Sequence, residues 1–299
     1  MAEVRKNMPR TVAEGFADFL SSLTPSSAES AASASHRSSI DACLRNNFVV
    51  NRLFRTGSFG NGTSISGYSD VDYFVSLGAD YLSDTSTYTL INVRDALSAR
   101  FPNTGVRVNC PAVKVPFGTR VSETTEVVPA DFIEKVTRKQ YRVYDIPDCD
   151  GGWMRSSPDA HNDYVSYINE KLSGRVKPLV RFIKAWKYFC QVPISSFYLE
   201  LRVAKYATDE TTISYPEDIQ RVLNILYNND LANMQDPMGI SGYIEPCKTD
   251  TMFDDAQSKL MTASIRADRA LAAYKKGAFK EAFELWDLLY NGRFPSYYR

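Results

Sequence analysis

The sequence predicts an α+β protein with a mixed sheet in its first half and helices throughout its second half. Two observations predict this fold class. Short apolar and aromatic runs bounded by Gly, Ser and Asn recur between residues 51 and 145, as strands do. After Trp153 the apolar residues follow a helical period almost to the end of the chain. We therefore expect two domains, residues 1–155 and residues 156–299.

The first domain is predicted to begin with two helices. Apolar residues recur at helical spacing from Thr11 to Leu23, and Pro25 ends that segment. The Ser/Ala-rich stretch that follows leads into a second helical run through Leu44, because alanine favours helix. The sheet comes next, with a helix near 88–101 among its strands. The predicted strands are residues 51–56, 70–77, 105–109, 112–117, 124–128 and 141–145.

The second domain is predicted to be helical. Its first helix has a start signal, because Ser157 can cap it and Pro158 suits its first turn. The predicted helices are residues 159–172, 175–190, 196–207, 216–229, 254–275 and 278–290.

Charge and hydropathy limit the classes of function. The 299 residues carry 35 Lys plus Arg and 35 Asp plus Glu, so the net charge is zero. A large surface for DNA or RNA normally needs a basic excess, and we expect no strong nucleic-acid binding. No run approaches the roughly 18 to 20 apolar residues of a membrane span, and the N-terminus lacks a secretory signal pattern. We therefore expect a cytoplasmic protein with no membrane partner.

Five cysteines are scattered along the chain, and no two have the C-x-x-C spacing of a zinc site. Their odd number and the expected cytoplasmic location favour reduced thiols. We expect all five to behave as small buried core residues. They are Cys43, Cys110, Cys149, Cys190 and Cys247.

A glycine-rich turn follows the first predicted strand and begins at Gly57-Ser58. Gly57, Gly60 and Gly62 lie within six residues, so that the backbone can approach a phosphate without a Cβ in the way. Backbone N–H groups of such a turn can bind an anion, and the Ser58 hydroxyl adds a donor. The turn lacks the Gly-Lys-Ser/Thr of a P-loop. It predicts a phosphate contact through Gly57 and Ser58.

Asp70 and Asp72 stand two residues apart at the start of the next predicted strand. Side chains at i and i+2 of a strand share one face, and two carboxylates so close are costly unless a cation lies between them. Oxygen ligands of this kind suit Mg²⁺. Two such ions about 3.5 to 4 Å apart can stabilise the attacking and leaving oxygens of a phosphoryl transfer. A lone Asp-x-Asp would indicate a solvated strand entry, but the turn just upstream favours a metal site.

The succession of Gly-Ser, a short glycine-rich stretch and Asp-x-Asp before an apolar strand resembles the DNA polymerase beta superfamily of nucleotidyltransferases. The longer pattern, Gly57-Ser-Phe-Gly-Asn-Gly-Thr and then Ser-Asp-Val-Asp72, resembles the cGAS/DncV-like nucleotidyltransferases (CD-NTases) of bacterial antiphage signalling. The resemblance implies a two-lobed polymerase-beta-like fold, with a mixed-sheet catalytic lobe and a helical second lobe. It also implies synthesis of a cyclic di- or trinucleotide from nucleoside triphosphates.

The superfamily uses a third acid on a neighbouring strand, and Glu126 in Thr-Thr-Glu-Val-Val-Pro-Ala resembles that acid. The family more often has Asp there, so the longer Glu126 is a departure. Asp131, beyond the proline, is the weaker alternative. The resemblance therefore implies that Asp70, Asp72 and Glu126 are catalytic and hold two Mg²⁺ ions, with Mn²⁺ as a substitute.

The second-lobe pattern Arg-Phe-Ile-Lys-Ala-Trp, followed by Ser-Ser-Phe-Tyr, also resembles the family. By that resemblance Lys184 and Ser196 contact the triphosphate, and Phe197 or Tyr198 stacks on the base, since aromatic faces bind bases with little sequence preference. Plain alternatives remain open: a charged outer helix face for Lys184, and core positions for Phe197 and Tyr198. His161, near the junction of the lobes, is expected to be structural.

These features together predict a Mg²⁺-dependent nucleotidyltransferase that makes a cyclic di- or trinucleotide and releases pyrophosphate. Nucleoside triphosphates are the predicted substrates, and the family implies a downstream effector protein that binds the cyclic product. The alternatives are a linear product, transfer of a nucleotide to a protein or RNA, and an inactive nucleotide-binding scaffold.

Overall fold

The computed structural model describes residues 11–68, 70–118 and 123–297. Its contacts divide the chain into two units, each of which gathers segments that are distant in sequence. The sheet unit contains residues 25–166 and 236–242, and the helical unit contains residues 11–24, 167–235 and 243–297.

The secondary structure follows the predicted order. The helices are α1 (Val12–Leu23), α2 (Ser27–Asn47), α3 (Gly57–Asn61), α4 (Ser86–Arg100), α5 (Pro158–Lys171), α6 (Val176–Phe189), α7 (Ser196–Ala207), α8 (Tyr215–Asn228), α9 (Asp250–Lys275) and α10 (Phe279–Leu289). The strands are β1 (Val50–Arg55), β2 (Val71–Leu77), β3 (Arg107–Asn109), β4 (Ala112–Phe117), β5 (Glu123–Val136), β6 (Tyr141–Pro147), β7 (Trp153–Ser156), β8 (Met234–Gln235) and β9 (Tyr243–Ile244). Of the helices in the described residues, none is both long and apolar enough to span a membrane.

The sheet unit is built on a mixed sheet with the strand order β1-β2-β5-β4-β3. β2 and β5 are parallel, whereas β1 pairs with β2 and β4 pairs with β5 in the antiparallel sense. β5 is 14 residues long, and its second half leaves this arrangement to pair with β6, which pairs in turn with β7. The mixed sheet that the sequence predicted is thereby confirmed.

The two faces of the sheet have different partners. Alternate residues of the strands pack against α2 and α4 and form the main core of the unit, to which each fully buried Val or Leu adds about 1.5–3 kcal/mol. The opposite face carries a smaller apolar cluster. That cluster consists of Phe74, Ala112, Val128, Ala130, Tyr144 and Ile146.

The helical unit takes the first helix of the chain into its core. A capping box between Thr11 and Glu14 starts α1. Phe16 and Phe19 of α1 are buried, and both rings pack against Phe182 of α6. Residues 11–24 therefore group with the later helices, whereas the sequence predicted one domain from residue 1 to residue 155 and a second from 156 to 299. The periodicity of α1 identifies its apolar face but does not say which partner covers it.

Some elements differ from the predicted ones. β5 was expected only over 124–128, because Pro129 is unusual in a central strand, yet Pro129 pairs with Val75 and the strand continues to Val136. The glycine-rich turn contains the short helix α3, and the brief strands β7, β8 and β9 carry too little pattern to be predicted.

The expectation of five reduced core cysteines is wrong for two of them. Cys110 and Cys149 form a disulfide, with their Cα atoms 5.6 Å apart and a sequence separation of 39. The sheet brings the turn between β3 and β4 close to the segment before β7, and sequence spacing contains no sign of that proximity. Cys43, Cys190 and Cys247 are free thiols, and burial raises the pKa of each.

Candidate active site

Asp72 of β2 and Glu126 of β5 are direct neighbours across the sheet. The two strands are parallel, and Asp72 is paired with Glu126 in their register. Their chain neighbours Tyr73 and Val127 enter the core formed with α2 and α4, so both acids lie on the opposite face. Strand pairing alone therefore brings these two carboxyl groups to adjacent positions.

The glycine-rich turn meets Asp72 directly. The N–H of Thr56 donates to the carbonyl oxygen of Asp72 over 2.8 Å, which joins the turn to the start of β2. Gly57 has a φ of +56°, and a Cβ at this residue would overlap Oδ2 of Asp72. Glycine therefore both permits the backbone conformation and leaves room for the carboxylate. Ser58, the next residue, is half-buried in α3.

Asp70 precedes β2 and is bound by Lys114 of β4. Nζ of Lys114 donates to Oδ2 of Asp70 over 2.8 Å and lies 3.6 Å from Oε1 of Glu126. Burial by itself would lower the pKa of Lys114, but the hydrogen bond to Asp70 and the charges of Asp70 and Glu126 outweigh it and raise that pKa. Lys114 is therefore a charged ammonium that contacts two of the predicted metal ligands.

Glu126 is also held by Asn109 of β3. Nδ2 of Asn109 donates to Oε1 of Glu126 over 3.0 Å, the same oxygen that Lys114 approaches. Asp131, the weaker sequence alternative, lies further along β5 and pairs with Asp145 of β6. The register thus places Glu126, and not Asp131, beside Asp72.

The three acids supply the oxygen donors that Mg²⁺ prefers. Within the described ranges, no group of three or more His, Cys, Asp or Glu side chains is arranged to hold a metal ion. The oxygens of Asp70 and Glu126 nevertheless gather around one cation, the ammonium of Lys114, and Asp72 adjoins Glu126. The donor chemistry of the three acids suits a divalent ion, and in this structure Lys114 supplies the positive charge between Asp70 and Glu126.

The predicted substrate residues of the second domain lie on α6 and α7 of the helical unit. Lys184 is fully buried, and its Nζ lies 3.6 Å from Oε2 of Glu200. Lys177 and Arg181, on the same face of α6, are half-buried, and burial lowers the pKa of both, although Glu200 and Glu170 oppose that shift at Lys177. This face is therefore not the exposed charged face of the plain alternative.

Ser196, the first residue of α7, is bound by two residues of α6. Nζ of Lys187 donates to Oγ of Ser196 over 2.6 Å, and the hydroxyl of Tyr188 lies 3.2 Å from the same oxygen. Lys187 follows Lys184 by about one helical turn. The hydroxyl that was predicted to meet a phosphate thus lies beside a cation that the sequence did not single out.

The two candidate stacking residues have different environments. Phe197 is 41% exposed, whereas Tyr198 is completely buried and donates its hydroxyl to the carbonyl oxygen of Ala232 over 2.8 Å. The guanidinium of Arg202 also lies 5.0 Å from the centre of the Tyr198 ring. Of the pair left open by the sequence, Phe197 presents the accessible ring and Tyr198 takes the core position.

Sequence reasoning missed Lys114, Asn109 and Lys187. Lys114 interrupts the apolar residues of β4 at the position of one outward-facing side chain, which was the available signal. Its importance depends on pairing with Glu126, and that register is not written in the local sequence. Asn109 and Lys187 carry no distinguishing local pattern.

Comparison with known families finds a match that runs from the start of α1 almost to the end of α5. The model of the Second Messenger Oligonucleotide or Dinucleotide Synthetase domain matches residues 10–169, more than half of the chain. That segment includes Gly57, Asp72 and Glu126.

Two curated relatives are similar in sequence. A protein named as a probable cyclic nucleotide synthase from Bacillus cereus (strain VD146) is 27% identical over 173 residues, which is 58% of this chain and 52% of that protein. The match thus spans about half the length of that relative. A cyclic AMP-AMP-AMP synthase from an Acinetobacter species is 25% identical over 310 aligned positions, covering 95% of this chain and 86% of the relative.

A solved structure shares the fold. CdnC from E. coli MS115-1, determined with ATP, superposes with a TM-score of 0.70 at 19% identity, covering 94% of this chain and 98% of CdnC. The polymerase-beta-like nucleotidyltransferase fold implied by the sequence resemblance is thereby confirmed.

Proposed function

We propose that this chain, which belongs to the Second Messenger Oligonucleotide or Dinucleotide Synthetase family, joins nucleoside triphosphates into a cyclic di- or trinucleotide and releases pyrophosphate. The observation that carries the proposal is the pairing of Asp72 with Glu126 across the sheet, next to the turn in which the backbone of Gly57 lies against the Asp72 carboxylate. Cyclic nucleotide synthases among its relatives support the same reaction.

We assign Asp70, Asp72 and Glu126 as ligands of two Mg²⁺ ions, for which Mn²⁺ substitutes. When bound, the ions supply positive charge to the phosphates and make an acceptor ribose hydroxyl more acidic. Asp72 can serve because Gly57 leaves space for its carboxylate, and Asn109 fixes the orientation of Glu126. This support by neighbouring residues keeps the acids oriented before substrate binds.

The chain's own groups then bind and orient the nucleotides. Gly57 and Ser58 contact the β- and γ-phosphates of the donor triphosphate from the sheet unit. By the family resemblance, Lys184 and Ser196 are also assigned to triphosphate binding, and Lys187 adds charge beside the serine hydroxyl. Phe197, with its exposed ring, stacks on a base.

The reaction requires two successive nucleotidyl transfers to form the smallest ring. A ribose hydroxyl of the acceptor loses its proton to Glu126 and attacks the α-phosphorus of the donor, and the bond to pyrophosphate breaks. The linear intermediate then rebinds so that its own free hydroxyl attacks the α-phosphorus of its remaining triphosphate, and a further pyrophosphate leaves as the ring closes. Catalysis of this kind depends on positioning and charge neutralisation rather than on a covalent enzyme intermediate.

The biological setting is part of the proposal. We place the enzyme in the bacterial cytoplasm, in antiphage signalling, where an effector protein binds the cyclic product. Its substrates are nucleoside triphosphates, in keeping with the ATP in the CdnC structure. The zero net charge supports activity without strong binding to DNA or RNA.

The test is product analysis with a matched pair of variants. Purified protein is incubated with all four labelled ribonucleoside triphosphates and Mg²⁺ or Mn²⁺, treated with phosphatase, and examined by mass spectrometry. We expect a phosphatase-resistant species with the mass of a cyclic di- or trinucleotide. Asp72→Asn should abolish it, whereas Asp84→Asn, a change at an exposed loop acid, should not.

Each other outcome has a defined meaning. A product that loses terminal phosphates to phosphatase is linear, and it would show a nucleotidyltransferase that does not close the ring. Full product formation by Asp72→Asn contradicts the site. Absence of pyrophosphate release under all these conditions contradicts synthase activity and favours a scaffold.

A further inference from the structure

Lys114 lies at the centre of the acidic cluster, which consists of Asp70, Asp72 and Glu126, because the pairing of the strands places it there. Asp72 pairs with Glu126 across β2 and β5, and Glu126 pairs with Lys114 across β5 and β4, so the three residues form one row on the same face. Nζ of Lys114 lies 2.8 Å from Asp70 and 3.6 Å from Glu126, and the side chain is 20% exposed. A mostly shielded ammonium therefore contacts two acids that the proposed reaction needs.

We propose that Lys114 is a resident counter-ion, which holds Asp70 and Glu126 together before metal binds and yields its place to a divalent ion. The inference rests on the proposed function, because it takes the acids to be metal ligands. The physical reason is that an ammonium and a divalent ion cannot use the same carboxylate oxygens a few ångströms apart without strong repulsion. Metal binding must therefore break the Lys114 contacts, which weakens the apparent affinity for the metal.

The displaced ammonium remains tethered to β4, close to the bound ion. Arg107 of β3 pairs with Lys114 in the register, so a second cation lies in the same row. This concentration of positive charge disfavours a metal bound alone and favours one that arrives with an anion. The triphosphate of the substrate provides that anion, so Lys114 makes metal and nucleotide bind cooperatively.

An ordinary ion pair elsewhere in the sheet unit provides the comparison. Lys139 contacts Asp163 at 2.6 Å, but the two side chains are 62% and 41% exposed, and Asp163 is outside the acidic cluster. Replacement of Lys139 removes the same charge from the protein without changing the surroundings of Asp70 and Glu126. It therefore separates the effect of net charge from the effect of position.

The experiment measures Mn²⁺ binding by electron paramagnetic resonance in the full-length protein, with and without a non-hydrolysable ATP analogue. Without nucleotide, Lys114→Met should bind Mn²⁺ roughly tenfold more tightly than wild type, because no ammonium competes for the oxygens. Lys114→Arg keeps the charge and should stay near the wild-type affinity, and Lys139→Met should not change it. The analogue should tighten Mn²⁺ binding more in wild type than in Lys114→Met.

The possible results separate this inference from the proposed function. If Lys114→Met binds Mn²⁺ no more tightly than wild type while Asp72→Ala loses binding, the role of Lys114 is overturned and the metal site stands. If neither wild type nor any variant binds Mn²⁺, even with the analogue, both proposals are overturned. Thermal unfolding of each variant without metal is recorded beside the binding data. If Lys114→Met is unfolded, Lys114→Gln takes its place under the same expectation.

Discussion

At the residue scale, addition of one side-chain atom, a Cβ at Gly57, is expected to disturb the candidate site. Its φ is +56°, and a Cβ there would overlap the Asp72 carboxylate. We expect Gly57→Ala to reduce turnover by roughly 100-fold or more, because displacement of a positioned group by about 1 Å can cost that much. The measurement is the rate of pyrophosphate release under saturating triphosphate and metal.

Gly62 provides the matched control for this variant. Its φ is +69°, but a Cβ there would meet nothing within 4 Å. Gly62→Ala therefore carries a similar backbone penalty, about 1–2 kcal/mol, without touching Asp72. If both alanine variants lose the same activity, backbone strain in the turn, and not the position of Asp72, explains the loss.

The acids of the candidate site could be proposed from the sequence because their signal is local. Asp70 and Asp72 follow the glycine-rich turn within a few residues, and the family pattern gives Glu126 a place on a neighbouring strand. Lys114 and Asn109 could not be predicted, because their importance comes only from contacts across strands with these acids. Register depends on the whole sheet, and a single strand does not encode it.

At the element scale, the segment 236–242 is fixed in the sheet unit by one buried carboxylate. Asp236 accepts hydrogen bonds from the backbone N–H groups of Met238, Ile240 and Ser241, and its Oδ2 lies 3.0 Å from Nε2 of His161 on α5. Burial alone would raise the pKa of Asp236. The hydrogen bond and charge of His161, with the backbone donors, instead hold that pKa well below its usual range. His161 thus takes the structural role expected from the sequence.

We expect Asp236→Asn to lower the free energy of unfolding by about 3 kcal/mol or more at pH 7, since it breaks a buried pair. Because the folded-state pKa of Asp236 is depressed, its stabilisation is complete above the unfolded value of about 3.9 and is lost as pH falls towards the folded value. The difference between wild type and variant should therefore shrink as the pH falls into the acid range. Urea denaturation across pH measures it.

The control for this prediction is Asp163 on α5, the helix that carries His161. Asp163→Asn breaks an exposed pair with Lys139, which should cost less than about 1 kcal/mol. Equal losses in the two Asn variants would mean that burial of Asp236 adds nothing to its stabilising effect.

Most helices of the second half could be predicted to within one residue at each end, because their apolar residues follow a helical period. Helix α7 covers the predicted residues 196–207, and α6 differs from its prediction by one residue at each end. β5 could not be predicted beyond residue 128, because Pro129 normally argues against a central strand. Antiparallel pairing with β6, the next strand along the chain, extends it to Val136.

At the scale of the whole molecule, the path of the chain differs from a simple succession of domains. The helical unit gathers residues 11–24 with residues 167–235 and 243–297, so that segments near both ends share one core. Local periodicity predicts that α1 buries an aromatic face, but the partner of that face is decided by tertiary packing. For this reason the sequence could predict α1 as a helix and yet group it with the sheet strands instead of with the later helices.

The last prediction tests that assignment of α1. The ring of Phe19 is buried, and its centre lies 4.5 Å from that of Tyr290, 5.1 Å from that of Phe294 and 5.7 Å from that of Phe182. Phe19→Ala should therefore reduce the free energy of unfolding in urea by about 3–5 kcal/mol. The control is Asp18→Ala, a change at the exposed neighbouring residue, which should leave that free energy nearly unchanged. A loss below about 1 kcal/mol for Phe19→Ala would detach α1 from the helical core and favour the contiguous first domain predicted from the sequence.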